Sequence, residues 1–378
     1  MIKQLRGILF VILLFGSALL GSVFLITPVL PLIVISPKHW RTCADRLVGY
    51  WITFSASLCE LLFGTKFYVT GDLIDRDQPG IMIMNHRTRL DWLFFWNALY
   101  KMDPWLLTTE KILLKAPLKY LPGAGWAMEC GAYIFLKRKV ETDLDLIDNM
   151  VSYYKESGNS YQLLLFPEGT DRCEHSAMVS DNYAKKNNLP KYQYVLHPRT
   201  TGFSFLLQNM LKKDYLKYVY DVTVGYPKEL VTGETEIIKH GLFPKEVHFD
   251  IRRYDISEIA KESEDDIANW LCKVWAHKED RLARFYQKEN KFVPSGEQFV
   301  WPVETTGIGY YCAFIFWVVS FVAWVFLIYS SLAMKVFFGL SCLFFISCEI
   351  YLHGVTTLFI ETHNVSKISP VEVSQCNK

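Results

Sequence analysis

Asn85-His86-Arg87-Thr88-Arg89-Leu90-Asp91 sets a histidine five residues before a carboxylate, directly after the apolar run Ile81-Met82-Ile83-Met84. A carboxylate bonded to one imidazole nitrogen fixes the tautomer and makes the other nitrogen a better base. Such a pair can take the proton from a hydroxyl group. On one continuous helix, side chains five apart point away from each other. The pair therefore works only with His86 in a loop and Asp91 in the first turn of the following helix. A second stretch, Phe166-Pro167-Glu168-Gly169-Thr170, follows the apolar run Leu163-Leu164-Leu165 and puts a glutamate on a glycine turn. Glycine there lets the backbone approach a ligand closely. A histidine and an aspartate at this spacing are weak evidence alone, because the chain has nine histidines. A polar turn capped by Asp91 would account for the bare pair. Two apolar strands, each ending in such residues, make the stronger case.

The elements that must position these groups lie between about Lys66 and Gln287. Short apolar runs there alternate with longer polar or amphipathic ones. The pattern predicts strands at Phe67–Thr70, Gly80–Met84, Trp105–Thr108, Ala132–Leu136, Gln162–Phe166, Tyr192–Leu196, Tyr218–Val224 and Val247–Ile251. It predicts helices at Leu90–Tyr100, Leu144–Lys155, Ala177–Lys186, Gly202–Leu211 and Asp265–Phe285. Strands separated by helices describe an α/β domain with a mostly parallel or mixed sheet covered by helices. In such sheets the loops at the C-terminal strand ends build the site.

The rest of the chain is apolar enough for a membrane. Of 378 residues, 51% are hydrophobic and 21% charged, with a net charge of +1. That balance predicts no polyanion or nucleic-acid partner for the molecule as a whole and leaves anion binding to a local patch. The nine cysteines form no C-x-x-C pair, so neither a zinc knuckle nor a disulfide scaffold is expected. Ile8 to Ser36 is apolar throughout and long enough to span, yet Lys3 and Arg6 precede it and Lys38, Arg41 and Arg46 follow. Two readings stay open, an ordinary span and a Pro-bent hairpin dipping into one leaflet. Leu47 to Phe63 reads as an amphipathic or partly embedded helix. Ile308–Leu332 and Val336–Ile360 read as a transmembrane helical hairpin. The resulting division is 1–64 as anchor, 65–287 as catalytic domain, 288–305 as linker, 306–361 as hairpin and 362–378 as polar tail.

Two further blocks complete a set. Gly131-Ala132-Tyr133-Ile134-Phe135-Leu136-Lys137-Arg138-Lys139 and Val195-Leu196-His197-Pro198-Arg199-Thr200-Thr201-Gly202-Phe203 flank the glutamate stretch in chain order. With the first two stretches they resemble the four motifs of the glycerolipid (PlsC-like) acyltransferase family, over roughly residues 60–290. The resemblance implies transfer of a fatty acyl group from acyl-CoA, a co-substrate, to the free hydroxyl of an anionic lysophospholipid, with no cofactor and no metal. It implies His86 as general base and Asp91 as its orienting acid. It places Asn85, Lys137, Arg138, Glu168, Gly169, Thr170 and Pro198 at the substrate, with Arg138 or Lys137 on its phosphate and Glu168 on its hydroxyls. A helix-capping glutamate is the plainer role for Glu168. Backbone amides at the helix start are the expected oxyanion donors. The chain departs from the pattern at Asp171, where many members carry arginine, and Arg172 comes one residue later. Acylation of lysophosphatidate is the alternative within the class, and a non-catalytic lipid-binding scaffold the alternative outside it. A hydrolase would need a G-x-S-x-G elbow, which is missing. The expected location is the endoplasmic reticulum membrane or a mitochondria-associated membrane, with the domain facing the cytosol.

Overall fold

A computed structural model describes residues 2–228, 230–259, 263–293, 299–301 and 307–375. Pro294, Gly296 and Pro302 of the expected linker lie outside these residues, as does Cys376 of the tail.

Among the described residues, eight strands form one sheet: β1 Lys66–Gly71, β2 Gly80–Met84, β3 Glu110–Lys115, β4 Ile134–Leu136, β5 Gln162–Leu165, β6 Tyr218–Gly225, β7 Glu246–Asp255 and β8 Phe299–Trp301. Their order is β4-β3-β5-β2-β6-β7-β1-β8. The run β4-β3-β5-β2-β6 is parallel throughout. β7 runs antiparallel to β6, β1 is parallel to β7, and β8 is antiparallel to β1, so the sheet is mixed. β2 is buried along its whole length, as a central parallel strand covered on both faces must be. Helices Asp91–Met102, Val140–Glu156, Thr200–Lys212 and Glu264–Arg284 cover the sheet.

Several expectations are corrected. Trp105–Thr108 is no strand; Leu106–Thr109 is a helical turn, and the strand is the next segment, Glu110–Lys115. Tyr192–Leu196 is loop. Phe299–Trp301, inside the expected linker, adds an edge strand to β1. The helix expected over Leu47–Phe63 is longer, Pro37–Phe63.

Helix Glu264–Arg284 is fixed to the sheet by buried ions. Asp221 of β6 pairs with Lys278 at 2.5 Å and also with Arg281, which reaches Asp250 of β7 at 2.6 Å. Asp221 is 1% exposed. Removing one member of such a group strands the others as unpaired buried charge. Asp221→Ala is therefore expected to cost about 3 kcal/mol or more of stability, read as a lowered chemical-denaturation midpoint. A loss within a few tenths of a kcal/mol would show that the ion cluster does not hold the helix.

The N-terminal region is a helical hairpin packed on the domain. Ile2–Gly21 continues through Ser22–Ile26 and Thr27–Val29, and the chain returns as Pro37–Phe63. Trp51 Nε1 donates to Ser17 Oγ at 3.0 Å, and Phe10 meets Phe63 with ring centroids 5.6 Å apart, so the two arms run antiparallel. The first arm touches the domain at both of its ends. Ser22 Oγ donates to Gly123 O at 2.9 Å. At the other end Gly7 lies so close to the chain that an added Cβ would fall 2.0 Å from the Ile237 carbonyl oxygen. The second arm is locked by ions: Asp45 accepts from Arg41 at 2.8 Å, from Lys111 at 2.8 Å and from the Tyr161 hydroxyl at 2.7 Å.

At the other terminus, Ile308–Ser330 and Leu332–Leu352 form the apolar hairpin. Its second helix ends eight residues before the expected Ile360, because His353 and Gly354 adopt left-handed backbone (φ 59 and 118°). A third helix, Val355–Gln375, then replaces much of the expected polar tail. It lies on the domain, with Phe359 against Tyr153 at 5.0 Å. Among the described residues, three segments are long and apolar enough to cross a membrane, and they differ in cover: over an apolar stretch of 18 residues, Ile2–Val29 is 50% buried within the protein, Ile308–Ser330 11% and Leu332–Leu352 17%. The C-terminal pair thus leaves most of its apolar surface for lipid, which makes the protein membrane-associated.

Candidate active site

The parallel strands β2, β4, β5 and β6 end along one edge, and each is followed there by residues that carry chemistry. After β2 the chain loops through His86 and enters the helix Asp91–Met102. His86 Nδ1 lies 2.9 Å from Asp91 Oδ2. The same oxygen accepts the backbone amides of Arg87 at 2.6 Å and Thr88 at 3.0 Å. Oδ1 accepts the Tyr226 hydroxyl, from just beyond β6. Asp91 is 0% exposed and His86 16% by side chain, so the carboxylate is walled in while the imidazole keeps an open side. With three donors fixed on Asp91, His86 Nδ1 carries the proton and Nε2 is left as acceptor. No described residue hydrogen-bonds Nε2. The ring also rests on Phe166, centroids 4.4 Å apart.

Backbone bonds tie the loops to one another. Arg172 N donates to His86 O at 2.7 Å, and Arg199 N donates to Pro167 O at 2.8 Å. Arg138, with φ of 63°, sends Nη2 to Gly169 O at 2.5 Å. All four sequence blocks therefore meet around the Glu168–Thr170 turn. Gly169 has φ of 74°, which favours glycine, while an added Cβ would fall 3.3 Å from the exposed Arg199 side chain and require it to shift by a few tenths of an ångström. Arg138, Arg199 and Lys137 are exposed around it. Lys115, at the end of β3, joins them: partial burial first, then the Arg138 charge, holds its ammonium below the usual lysine range. Asp171, placed 3.9 Å from Arg89, lies among these cations.

Not every expected residue is free for substrate. Asn85 is fully buried, and its amide bridges to Val224, accepting from N at 2.9 Å and donating to O at 3.2 Å. It pins β2 to β6 beneath the loop. Pro198 is buried, and Thr170 Oγ1 lies 3.4 Å from Asp171 Oδ1. The amides of Arg87 and Thr88, at the helix start, are spent on Asp91 and do not serve as oxyanion donors here. Glu168 is 3% exposed; Oε1 accepts Trp275 Nε1 at 3.3 Å and Oε2 has no hydrogen-bond partner. Burial pushes its pKa up to about 8, against the opposing charge of Lys278.

Sequence reasoning missed Tyr226 and Trp275. Tyr226 directly follows a central strand at the same edge, which was the available signal. Trp275 sits on a covering helix and carried none.

The site is that of an acyl-transfer enzyme, and the comparisons agree. The family model described as acyltransferase matches residues 66–227, and that for the acyltransferase C-terminus matches 239–317. A lysophosphatidylinositol acyltransferase of Caenorhabditis elegans is 43% identical over 80% of this chain and 76% of its own. Mouse lysocardiolipin acyltransferase is 38% identical over 91% of each chain. A probable 1-acyl-sn-glycerol-3-phosphate acyltransferase of Arabidopsis thaliana is 33% identical over 76% of this chain and 75% of its own. The chain belongs to the acyltransferase family.

Proposed function

We propose that the protein transfers a fatty acyl group from acyl-CoA to the free hydroxyl of an anionic lysophospholipid: lysocardiolipin, lysophosphatidylinositol or lysophosphatidylglycerol. The observation that carries this is the 2.9 Å contact between His86 Nδ1 and Asp91 Oδ2, with Nε2 unengaged on the open side. Nε2 takes the proton of the acceptor hydroxyl as its oxygen attacks the thioester carbonyl. Asp91 steadies the imidazolium. The tetrahedral intermediate collapses, the C–S bond breaks, and the CoA thiolate leaves and regains the proton from His86. No protein nucleophile, metal or cofactor enters the scheme. Arg138, Lys137, Lys115 and Arg199 would hold the phosphate of the acceptor, a guanidinium gripping it through two parallel bonds. The names of the nematode and mouse relatives support acceptors with phosphodiester headgroups.

The Arabidopsis relative favours a second acceptor, lysophosphatidate. Purified protein assayed with a matrix of acyl-CoA donors against lysolipid acceptors separates the two. The first reading expects at least about tenfold higher kcat/KM, about 1.4 kcal/mol, for the diester acceptors; equal or higher values for lysophosphatidate would replace it.

Arg138→Ala is expected to raise the KM for the lysophospholipid roughly tenfold, the loss of one charge-assisted contact. The KM for acyl-CoA should stay within about twofold. Equal rises in both would remove Arg138 from the acceptor's phosphate.

The reading includes a location, the endoplasmic reticulum membrane with the catalytic edge toward the cytosol, where acyl-CoA is made. The N-terminal hairpin would lie in one leaflet, since both ends of its first arm meet the domain. The C-terminal hairpin would cross and return, as Tyr310 near its start bonds Asn97 at 2.8 Å and Lys119 near its end reaches His353 O at 3.4 Å. Protease protection in sealed microsomes tests this: the domain should be cut from outside.

A further inference from the structure

Helix Glu264–Arg284 touches the catalytic edge through residues that no motif contains. Glu279 accepts the backbone amides of Gln193, Tyr194 and Val195 at 2.6, 2.9 and 3.0 Å, fixing the loop that leads to Pro198. One turn earlier, Trp275, itself 0% exposed, donates Nε1 to Glu168 Oε1 at 3.3 Å. Lys278 lies between them, but its ammonium is already committed to Asp221 Oδ1 at 2.5 Å and Val222 O at 2.5 Å. Its third N–H faces the Thr223 hydroxyl at 3.4 Å, and it forms no close ion pair with Glu168. The Glu168 carboxyl is thus sealed from solvent, with Oε1 on an indole and Oε2 making no hydrogen bond of ordinary geometry, although the backbone amides of His86 and Leu196 face the carboxyl. An ionised carboxylate in that setting is costly, whereas a neutral acid is tolerated.

We propose that Glu168 is a positioning residue that works as an uncharged acid, and that Trp275 is the group that holds it. From beneath the turn, the pair fixes the backbone that joins His86, Gly169 and Arg199, and Glu168 makes no charged contact with substrate. This deepens the acyl-transfer reading and rests on it for its kinetic test. The groups facing the carboxyl are Trp275 and Lys278 from the helix, Arg172 from the adjoining loop, and the backbone amides of His86 and Leu196. Desolvation outweighs all of them. A carboxyl raised from 4.5 to about 8 binds a proton on folding. It therefore stabilises the folded state most at low pH and withdraws that help as pH rises through this window, with no further change above it.

The test uses the full-length protein in lipid nanodiscs. Glu168→Ala should lower kcat about a hundredfold with the KM for the acceptor within about twofold, the signature of lost positioning. Glu168→Gln, a neutral isostere, should restore kcat to within about threefold of the parent. It should also reduce the fall in thermal midpoint between pH 5 and 8, the range of the Glu168 titration. Trp275→Phe should lower kcat about tenfold and shift the alkaline limb of the kcat profile. Glutamine as poor as alanine, or acceptor KM raised tenfold or more in both, would mean that a charged Glu168 contacts substrate. An unmoved kcat profile in Trp275→Phe would remove the indole from the role. The thermal-midpoint arm needs no turnover, so it separates failure of this inference from failure of the acyl-transfer reading.

Discussion

His86→Ala is expected to lower kcat for acyl transfer by about a thousandfold, within the usual range for a lost general base. The thermal midpoint and membrane insertion stay as in the parent. The separation follows from the geometry. His86 contributes one hydrogen bond through Nδ1 and a single ring contact with Phe166, and its open side supports nothing. The fold should barely register its loss, while an alcohol left without a base is a poor nucleophile toward a thioester. The measurement is initial-rate kinetics with CoA release followed continuously. Activity within tenfold of the parent would take His86 out of the chemistry.

Asp91 behaves differently because it serves structure and chemistry together. Asp91→Ala removes the acceptor for the Arg87 and Thr88 amides, the His86 ring and the Tyr226 hydroxyl at once. Those donors are then left near a buried gap, which costs on the order of 1–3 kcal/mol per unsatisfied group. The imidazole also loses its tautomer and its countercharge, so kcat should fall by about 10⁴ and the thermal midpoint should drop. Asp91→Asn divides the two roles. Its amide oxygen can take the place of Oδ2, and the Tyr226 hydroxyl can turn to accept from the new NH₂. The loop should survive, and only support for the imidazolium is lost, so kcat falls about a hundredfold with near-parent stability. If asparagine matches alanine in both measurements, the countercharge and the loop geometry are not separable as argued.

The strand cores and the histidine–aspartate pair were legible because each is a local pattern. Ile81–Met84 and Leu163–Leu165 are continuous apolar runs, as strands buried on both faces have to be. His86 and Asp91 lie five residues apart, and their meeting needs only a loop that becomes a helix. What escaped depends on partners far along the chain. Glu110 and Lys111 look like a surface segment, yet Glu110 accepts the Tyr133 hydroxyl at 3.1 Å and Lys111 reaches Asp45 at 2.8 Å. Those distant partners let a strand begin on two charges, and the expected strand was drawn too early, at Trp105. The break at His353-Gly354 hid inside a run whose apolar character continues to Ile360. The burial of Glu168 under Trp275, 107 residues away, has no trace in its sequence neighbours.

The ionic knot between Pro37–Phe63 and the sheet has a practical corollary. Lys111 is 1% exposed and Tyr161 also 1%, and both spend their polar atoms on Asp45 of that arm. Cutting away residues 1–64 to obtain a water-soluble enzyme would open this seam, leaving the Lys111 ammonium with the Thr108 carbonyl at 3.1 Å but no countercharge and the Tyr161 hydroxyl without its acceptor. That arm is thus a wall of the folded unit itself, and a preparation meant for biochemistry has to carry it along.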